Sequence, residues 1–345
     1  LLSFHPARTV SREAGVKYLI VVALASAIMV DGIALVYGTA GSMKFDRVAA
    51  AAPALADNRV FLIGVLLVMA GLGFKIAAFP MQLWAPDVYQ GSPTPTTAFL
   101  AIGSKAAGFA LLLRFLHTAV PDLDSWLGPV VAVVAAITIL YGNLCAIPQR
   151  NLKRLLGYSS ISNAGYLLLG VAAMSAAGQS AVLFFLGAYL VSVLGAFLVI
   201  GLVTRDAESE DIRVLAGLNQ RSPFLAFALS LSMISLAGIP PLAGFFGKFL
   251  LLKAVVEQAR THSAYAWLLA VALVGIVISL YYYFGVVRAI YWPKEPGETD
   301  PPERNPIAIS RPMRYAVVFC IGGMLYLGLF PSGLLNAALA AIQAL

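Results

Sequence analysis

Nine stretches of this chain are long and apolar enough to cross a lipid bilayer, and no other feature narrows its fold as far. They run near residues 13–38, 59–80, 96–117, 127–147, 155–174, 181–204, 223–256, 264–291 and 314–335. A spanning helix needs about 20 mostly apolar residues. Composition agrees: 60% of the 345 residues are hydrophobic and 11% are charged, where a soluble domain carries about 25% charged residues. The remaining solvent for so much apolar surface is lipid. The expected fold is all-α, a polytopic bundle forming a single membrane domain over residues 1–345, with no linker to a soluble domain.

Two of the runs are interrupted. The seventh is too long for one plain helix and contains Gly238-Ile239-Pro240-Pro241. Proline lacks a backbone donor and clashes with the preceding turn, so the spacing predicts two half-helices separated near 238–243. The second run ends at Pro80. The stretch after it, Met81 to Pro95, holds Pro86, Pro93 and Pro95 and reads as a re-entrant or lumen-lining piece.

The formal charge is +7. The basic residues sit between the apolar runs, not along a polar stripe of the kind that binds nucleic acid, so no nucleic-acid partner is expected. With nine spans the connections alternate sides. One side receives Arg8, Arg12, Arg150, Lys153, Arg154, Arg205, Arg213, Arg221, Arg288, Lys294, Arg304, Arg311 and Arg314; the other receives Lys44, Arg47, Arg59, Arg114 and Arg260. The positive-inside rule places the first group in the cytoplasm. The first residues are then cytoplasmic, the C-terminus is outside, and segment 292–313 is the longest cytoplasmic loop. Cys145 and Cys320 lie inside apolar runs without a CxxC pattern and read as core residues. His5, His117 and His262 fall near helix ends, and no group has metal-ligand spacing. The chain opens Leu1-Leu2-Ser3, with no Met and no signal peptide, which reads as a segment of a longer protein.

A charge at the bilayer centre costs at least about 2.5–3.5 kcal/mol, so each one inside a run calls for a reason. Six stand out: Glu13, Lys17, Asp31, Lys75, Lys105 and Lys248. Glu13 and Lys17 are four apart on one helix face and can pair. Asp31 lies near the outer end of its run, where an acid can face water. Lys75 stands just ahead of Pro80, Lys105 about ten residues into its run, and Lys248 soon after Pro240-Pro241. Their flanks are too long and apolar for an easy route to the headgroups. Lysine suits a proton relay because its pKa falls readily on burial, so it can shed and take a proton. Unwound backbone at membrane depth is tolerated where it lines a cavity or is buried in protein, and transporters place ion sites at such breaks. Two breaks with a lysine beside each point to an ion path. A polar thread, Tyr158, Ser159, Ser160, Ser162, Asn163 and Tyr166, runs through the fifth span and serves either as helix-to-helix glue or as a water-holding surface.

The runs GFKIAAFPMQLWAPDVYQGSPTPTTAFLAIGSKAAGF (73–109), NLKRLLGYSSISNAGYLLLG (151–170) and SLAGIPPLAGFFGKF (235–249) resemble the antiporter-like subunits of complex I, and in their details the subunit N branch more than L or M. The resemblance extends from Ser11 to about Tyr283. It implies fourteen helices with two inverted five-helix repeats whose seventh and twelfth helices are broken, the first helix here being the sixth. It implies a proton path through Lys75, Lys105 and Lys248, a cytoplasmic-side pair Glu13–Lys17, and broken-helix elements at Pro80, Gly238, Pro240 and Pro241. It implies no cofactor in this chain, with NADH, flavin, iron–sulfur clusters and quinone in partner subunits. The partners implied are M-like and K-like membrane subunits in a bacterial inner membrane.

Three departures follow. The preceding helix, whose glutamate pairs with the first broken-helix lysine in the family, is absent from this chain. Gln82 stands where the family has a histidine, and Asp31 where it has an apolar residue. The reading is therefore a proton-translocating subunit driven by redox chemistry elsewhere. The alternatives are an ion-exchange subunit of a multisubunit cation/proton antiporter and a purely structural subunit.

Overall fold

A computed structural model of the chain describes residues 9–205, 207, 209–292 and 306–344. His5, Arg8, Lys294, Arg304 and most of the 292–313 loop lie outside the described residues. The elements are α1 (Thr9–Ala40), α2 (Phe45–Leu55), α3 (Arg59–Ile76), α4 (Trp84–Gly91), α5 (Thr94–Ala119), α6 (Asp124–Ala146), α7 (Leu152–Ala172), α8 (Ala176–Val203), α9 (Pro223–Ala237), α10 (Ala243–Thr261), α11 (Ala266–Tyr291), α12 (Arg311–Leu329) and α13 (Ser332–Gln343). Eight helices among the described residues are long and apolar enough to cross a membrane, and α9 with α10 makes up the interrupted run.

Three features differ from the sequence reading. The last run, 314–335, is not one helix: α12 ends at Leu329, the chain turns at Phe330-Pro331, and α13 begins at Ser332. Proline at 331 has no N–H to continue the ladder. The stretch after Pro80, read as a re-entrant or lumen-lining piece, is itself helical over Trp84–Gly91, and α3 and α4 are the two halves of the first broken helix that the resemblance implies, like α9 and α10. The amphipathic α2 lay outside the nine runs because it is short and carries Asp46, Arg47 and Pro53.

Both breaks end their first half-helix in the same way. Ala77 takes a left-handed conformation at φ 58° and closes α3, its N–H and that of Ala78 donating to the Phe74 and Gly73 carbonyls. Gly238, at φ 86°, closes α9, with Gly238 and Ile239 donating to Ser235 and Ile234. This double closure satisfies carbonyls that the helix leaves orphaned.

At the centre stands α7, every residue of which except Arg154 is buried. In lipid no hydrophobic force drives helices together; close backbone approach and polar contacts do. Gly142 of α6 lets that helix lie against the Ser162 backbone, and Gly165 of α7 lies against the Ile139 backbone. The outer helices α1 and α12 present apolar side chains such as Leu19, Ile20, Leu24, Val318 and Phe319 on the exposed surface.

Candidate functional site: two buried lysines on a polar helix

Lys105 begins the regular part of α5 directly after a wider π-helical turn, Leu100–Ser104. Such turns re-aim side chains and gather at functional sites. The Lys105 side chain is 2% exposed. Its Nζ donates to Ser160 Oγ at 2.6 Å and to the Ser160 carbonyl on α7, and it stands 5.7 Å from the Tyr189 ring of α8. The Tyr89 hydroxyl of α4 lies 3.1 Å from the same Ser160 Oγ.

Lys248, one turn into α10 and 3% exposed, turns back on the break. Its Nζ donates to the Leu236 carbonyl at 2.7 Å and the Ala237 carbonyl at 3.3 Å, at the negative end of α9, where the helix dipole favours a cation. The Tyr166 ring of α7 faces it at 4.9 Å. Gly238 leaves room for the lysine stem: a β-carbon there would stand 3.0 Å from Lys248 Cδ. Among the described residues neither Lys105 nor Lys248 has a carboxylate partner. Each is held by neutral oxygens and a ring face.

Between them runs the polar thread of α7. Ser159 Oγ is 2.5 Å from the Tyr283 hydroxyl. Asn163 Nδ2 donates to the Ser159 carbonyl at 2.9 Å and to Tyr283 at 3.2 Å. The Tyr282 hydroxyl donates to Asn143 Oδ1 at 3.0 Å, and the Tyr166 hydroxyl to the Ala272 carbonyl at 3.0 Å. Asn143 Nδ2 and Asn163 Oδ1 are buried and without a protein partner, which is where ordered water is normally found.

Lys75 is placed differently. It closes α3 with its side chain exposed, and among the described residues nothing hydrogen-bonds or ion-pairs with it. Its β-carbon stands beside Gly108, one turn beyond Lys105 on α5. An apolar cavity of about 210 Å³ lies close by, between α1, α3 and α5, lined by Met29, Ile33, Val68, Leu72, Leu111 and Phe115. Pro80, Pro240 and Pro241 lie in the unwound stretches. Asp31 is exposed on α1.

Glu13 and Lys17 do pair, at 2.5 Å, but within a wider network that sequence reasoning did not foresee. Lys17 also reaches Asp87 Oδ2 of α4 at 3.0 Å, and Arg154 of α7 reaches Asp87 Oδ1 at 2.6 Å and Gln90 Oε1 at 3.1 Å. Beside it, buried Lys153 contacts Glu210 Oε1 at 2.7 Å and the Ser92 carbonyl at 2.7 Å. The segment bearing Glu210 is further laced to the start of α7 by Leu152 N–H to the Glu210 carbonyl and Ile212 N–H to the Arg150 carbonyl. Gln82 is buried, its Oε1 unpartnered. Among the described residues no cluster of His, Cys, Asp and Glu could hold a metal ion.

Residues 1–279 match the family described as NADH:quinone oxidoreductase/Mrp antiporter, TM. The chain is 40% identical over 343 residues to NADH-quinone oxidoreductase subunit N of Desulforamulus reducens, covering 99% of this chain and 70% of that protein. It superposes on a chain of respiratory complex I from Thermus thermophilus with bound aureothin at a TM-score of 0.79 and 35% identity, covering 96% of this chain and 70% of that one. A chain of the Mrp complex from Dietzia shares the fold at a TM-score of 0.86 and 24% identity, with 98% and 68% covered.

Proposed function

This chain belongs to the NADH:quinone oxidoreductase/Mrp antiporter membrane family and within it to subunit N of NADH-quinone oxidoreductase, and from that premise we propose that Lys105 and Lys248 are the proton-carrying groups of a proton-translocating subunit. The observation that carries the proposal is their shared setting: two lysines buried at membrane depth, held by neutral oxygens, on either side of the hydroxyl- and amide-rich helix α7. A lysine held without a carboxylate changes charge more readily than one locked in an ion pair. Ser160, Tyr283, Asn163 and Tyr166 supply donors and acceptors between them. Lys75 extends the series outward from Gly108, its exposed amine available to an acidic partner outside this chain.

In this reading the end of the bundle that carries Glu13, Asp87, Lys153 and Arg154 faces the cytoplasm of a bacterial cell and the C-terminus faces outward. Electron transfer from NADH to quinone, with its flavin and iron–sulfur clusters, takes place in partner subunits, and M-like and K-like membrane subunits flank this one. What this chain contributes is the lysine series and the water-holding amides around it.

The test uses inverted membrane vesicles containing the whole complex, with assembly checked on a native gel. Lys105→Ala and Lys248→Ala should each lower NADH-driven proton uptake and electron transfer by about 10²-fold, the lower range for loss of a positioned proton-transfer group. Unchanged uptake in both variants overturns the relay. Sodium-for-proton exchange by the wild-type vesicles in the absence of NADH supports the antiporter reading instead.

A further inference from the structure

We propose that Asp87 is a positioning residue for Lys105: shared between cations on two helices, it seats the half-helix α4 and thereby sets whether Tyr89 holds Ser160 against the Lys105 amine. The inference rests on the relay reading and adds to it a control point at the bundle end.

Only eight residues long, α4 lies between the unwound stretch 77–83 and the turn at Ser92-Pro93. No helical continuity fixes its direction, so side-chain contacts must. In its first turn Asp87 bridges Lys17 of α1, at 3.0 Å, and Arg154 of α7, at 2.6 Å. Gln90 gives Arg154 a second acceptor at 3.1 Å, and Lys153 holds the Ser92 carbonyl at 2.7 Å. Two residues from Asp87, about 200° round the helix, the fully buried Tyr89 places its hydroxyl 3.1 Å from Ser160 Oγ. Lys105 Nζ donates to that same oxygen at 2.6 Å. Hence α4 is pinned to α7 by Arg154 and Lys153 toward the start of α7 and by Ser160 further along it, and Ser160 is the partner of the relay lysine.

The Asp87 bridge is adjustable. Glu13 competes with Asp87 for Lys17. Because α4 lies in close contact with both neighbours, Gly91 against Val10 and Ala14 of α1 and Pro86 against Gly157 of α7, loss of the Asp87 bridge loosens the seat from which Tyr89 reaches Ser160. Charge movement at the surface thus reaches a buried lysine through one short helix, without any titrating group between them.

The experiment measures NADH-driven proton uptake in inverted vesicles bearing the complete complex, with native-gel assembly as a control, for Asp87→Asn, Asp87→Glu, Tyr89→Phe and the Asp87→Asn/Tyr89→Phe pair. Asp87→Asn is expected to lower uptake about tenfold, the scale of one hydrogen bond to a charged group, and Asp87→Glu to restore most of it. In the Tyr89→Phe background Asp87→Asn should add little, because both act through Ser160. Losses that multiply in the pair, or an Asp87→Glu variant as poor as Asp87→Asn, overturn the positioning role. If Lys105→Ala abolishes uptake while Asp87→Asn pumps like wild type, only this inference falls. If Lys105→Ala itself pumps normally, the relay reading falls first.

Discussion

Gly275 of α11 stands at the junction between the α7 thread and Lys248, and replacing it with alanine should cost both stability and pumping. A β-carbon at that position would lie 2.5 Å from Ile139 Cγ2, 2.6 Å from the Tyr166 hydroxyl and 2.9 Å from Asn143 Nδ2, all well inside the ordinary contact distance of about 3.5 Å. The Tyr166 hydroxyl is anchored one turn away on the Ala272 carbonyl at 3.0 Å, so it cannot yield without giving up that bond. Overpacking a close-packed site costs about 1–3 kcal/mol, and a lost buried hydrogen bond about 0.5–1.5 kcal/mol. Alanine regains up to about 1 kcal/mol over glycine in a helix. The net expectation is a loss of about 1–3 kcal/mol, read as a lower midpoint for thermal inactivation of the extracted complex. Because the Tyr166 ring faces Lys248 at 4.9 Å, its displacement should lower proton uptake in the same variant. A double-mutant cycle isolates the cause. In a Tyr166→Phe background the oxygen is gone, and Gly275→Ala should cost about 1 kcal/mol less. An unchanged midpoint for Gly275→Ala, or an equal cost in both backgrounds, refutes the reasoning.

Two further outcomes follow from the same contacts. A β-carbon on Gly244 would overlap the Ser235 carbonyl of the facing half-helix, so Gly244→Ala should abolish assembly on a native gel, whereas Gly73→Ala, which meets nothing within 4 Å, should assemble normally and gain about 0.5–1 kcal/mol. Glu210→Gln takes the Glu210 carboxylate away from the buried Lys153 ammonium and should destabilise the extracted complex by about 1–3 kcal/mol, less than for a fully buried pair because Glu210 is partly exposed. Adding Lys153→Met should recover that loss, and a double variant less stable than Glu210→Gln alone would contradict the ion-pair account.

Length and hydropathy made the spanning helices legible, because a bilayer sets a minimum run of apolar residues that soluble folds do not need. The breaks were legible for a related reason: Gly238 and the prolines at 80, 240 and 241 cannot continue a helix. Other features escaped because they depend on neighbours far along the chain. The half-helix α4 is held by Asp87 on Arg154 and Tyr89 on Ser160, and nothing in Trp84–Gly91 alone marks it as helical, with Pro86 in its first turn. Lys153 and Arg154 read as orientation charges because their partners, Glu210 and Asp87, meet them only after folding. Burial of Lys105 and Lys248 was legible from mid-run placement. The exposure of Lys75 was not, since it depends on which helices flank α3 and not on the residues of α3 itself.

The two breaks share a closing motif yet use different groups to serve the backbone around it. At the first break the Trp84 indole Nε1 donates to the Phe74 carbonyl at 3.0 Å, and Thr138 of α6 receives the Phe79 N–H at 3.1 Å. The unwound backbone is thereby served by neutral groups. At the second break no indole is at hand: Ser235 receives the Gly244 N–H at 3.2 Å, while the Leu236 and Ala237 carbonyls are served by Lys248 itself. A cation that caps a helix end cannot leave without exposing those carbonyls, and unserved backbone groups at membrane depth are costly. Displacement of the Lys248 amine must therefore be accompanied by a change at Gly238–Leu242. That stretch packs its Pro241 carbonyl against Gly328 near the end of α12, on the outer surface of the bundle. Displacement of Lys248 is thus mechanically tied to a helix at the periphery.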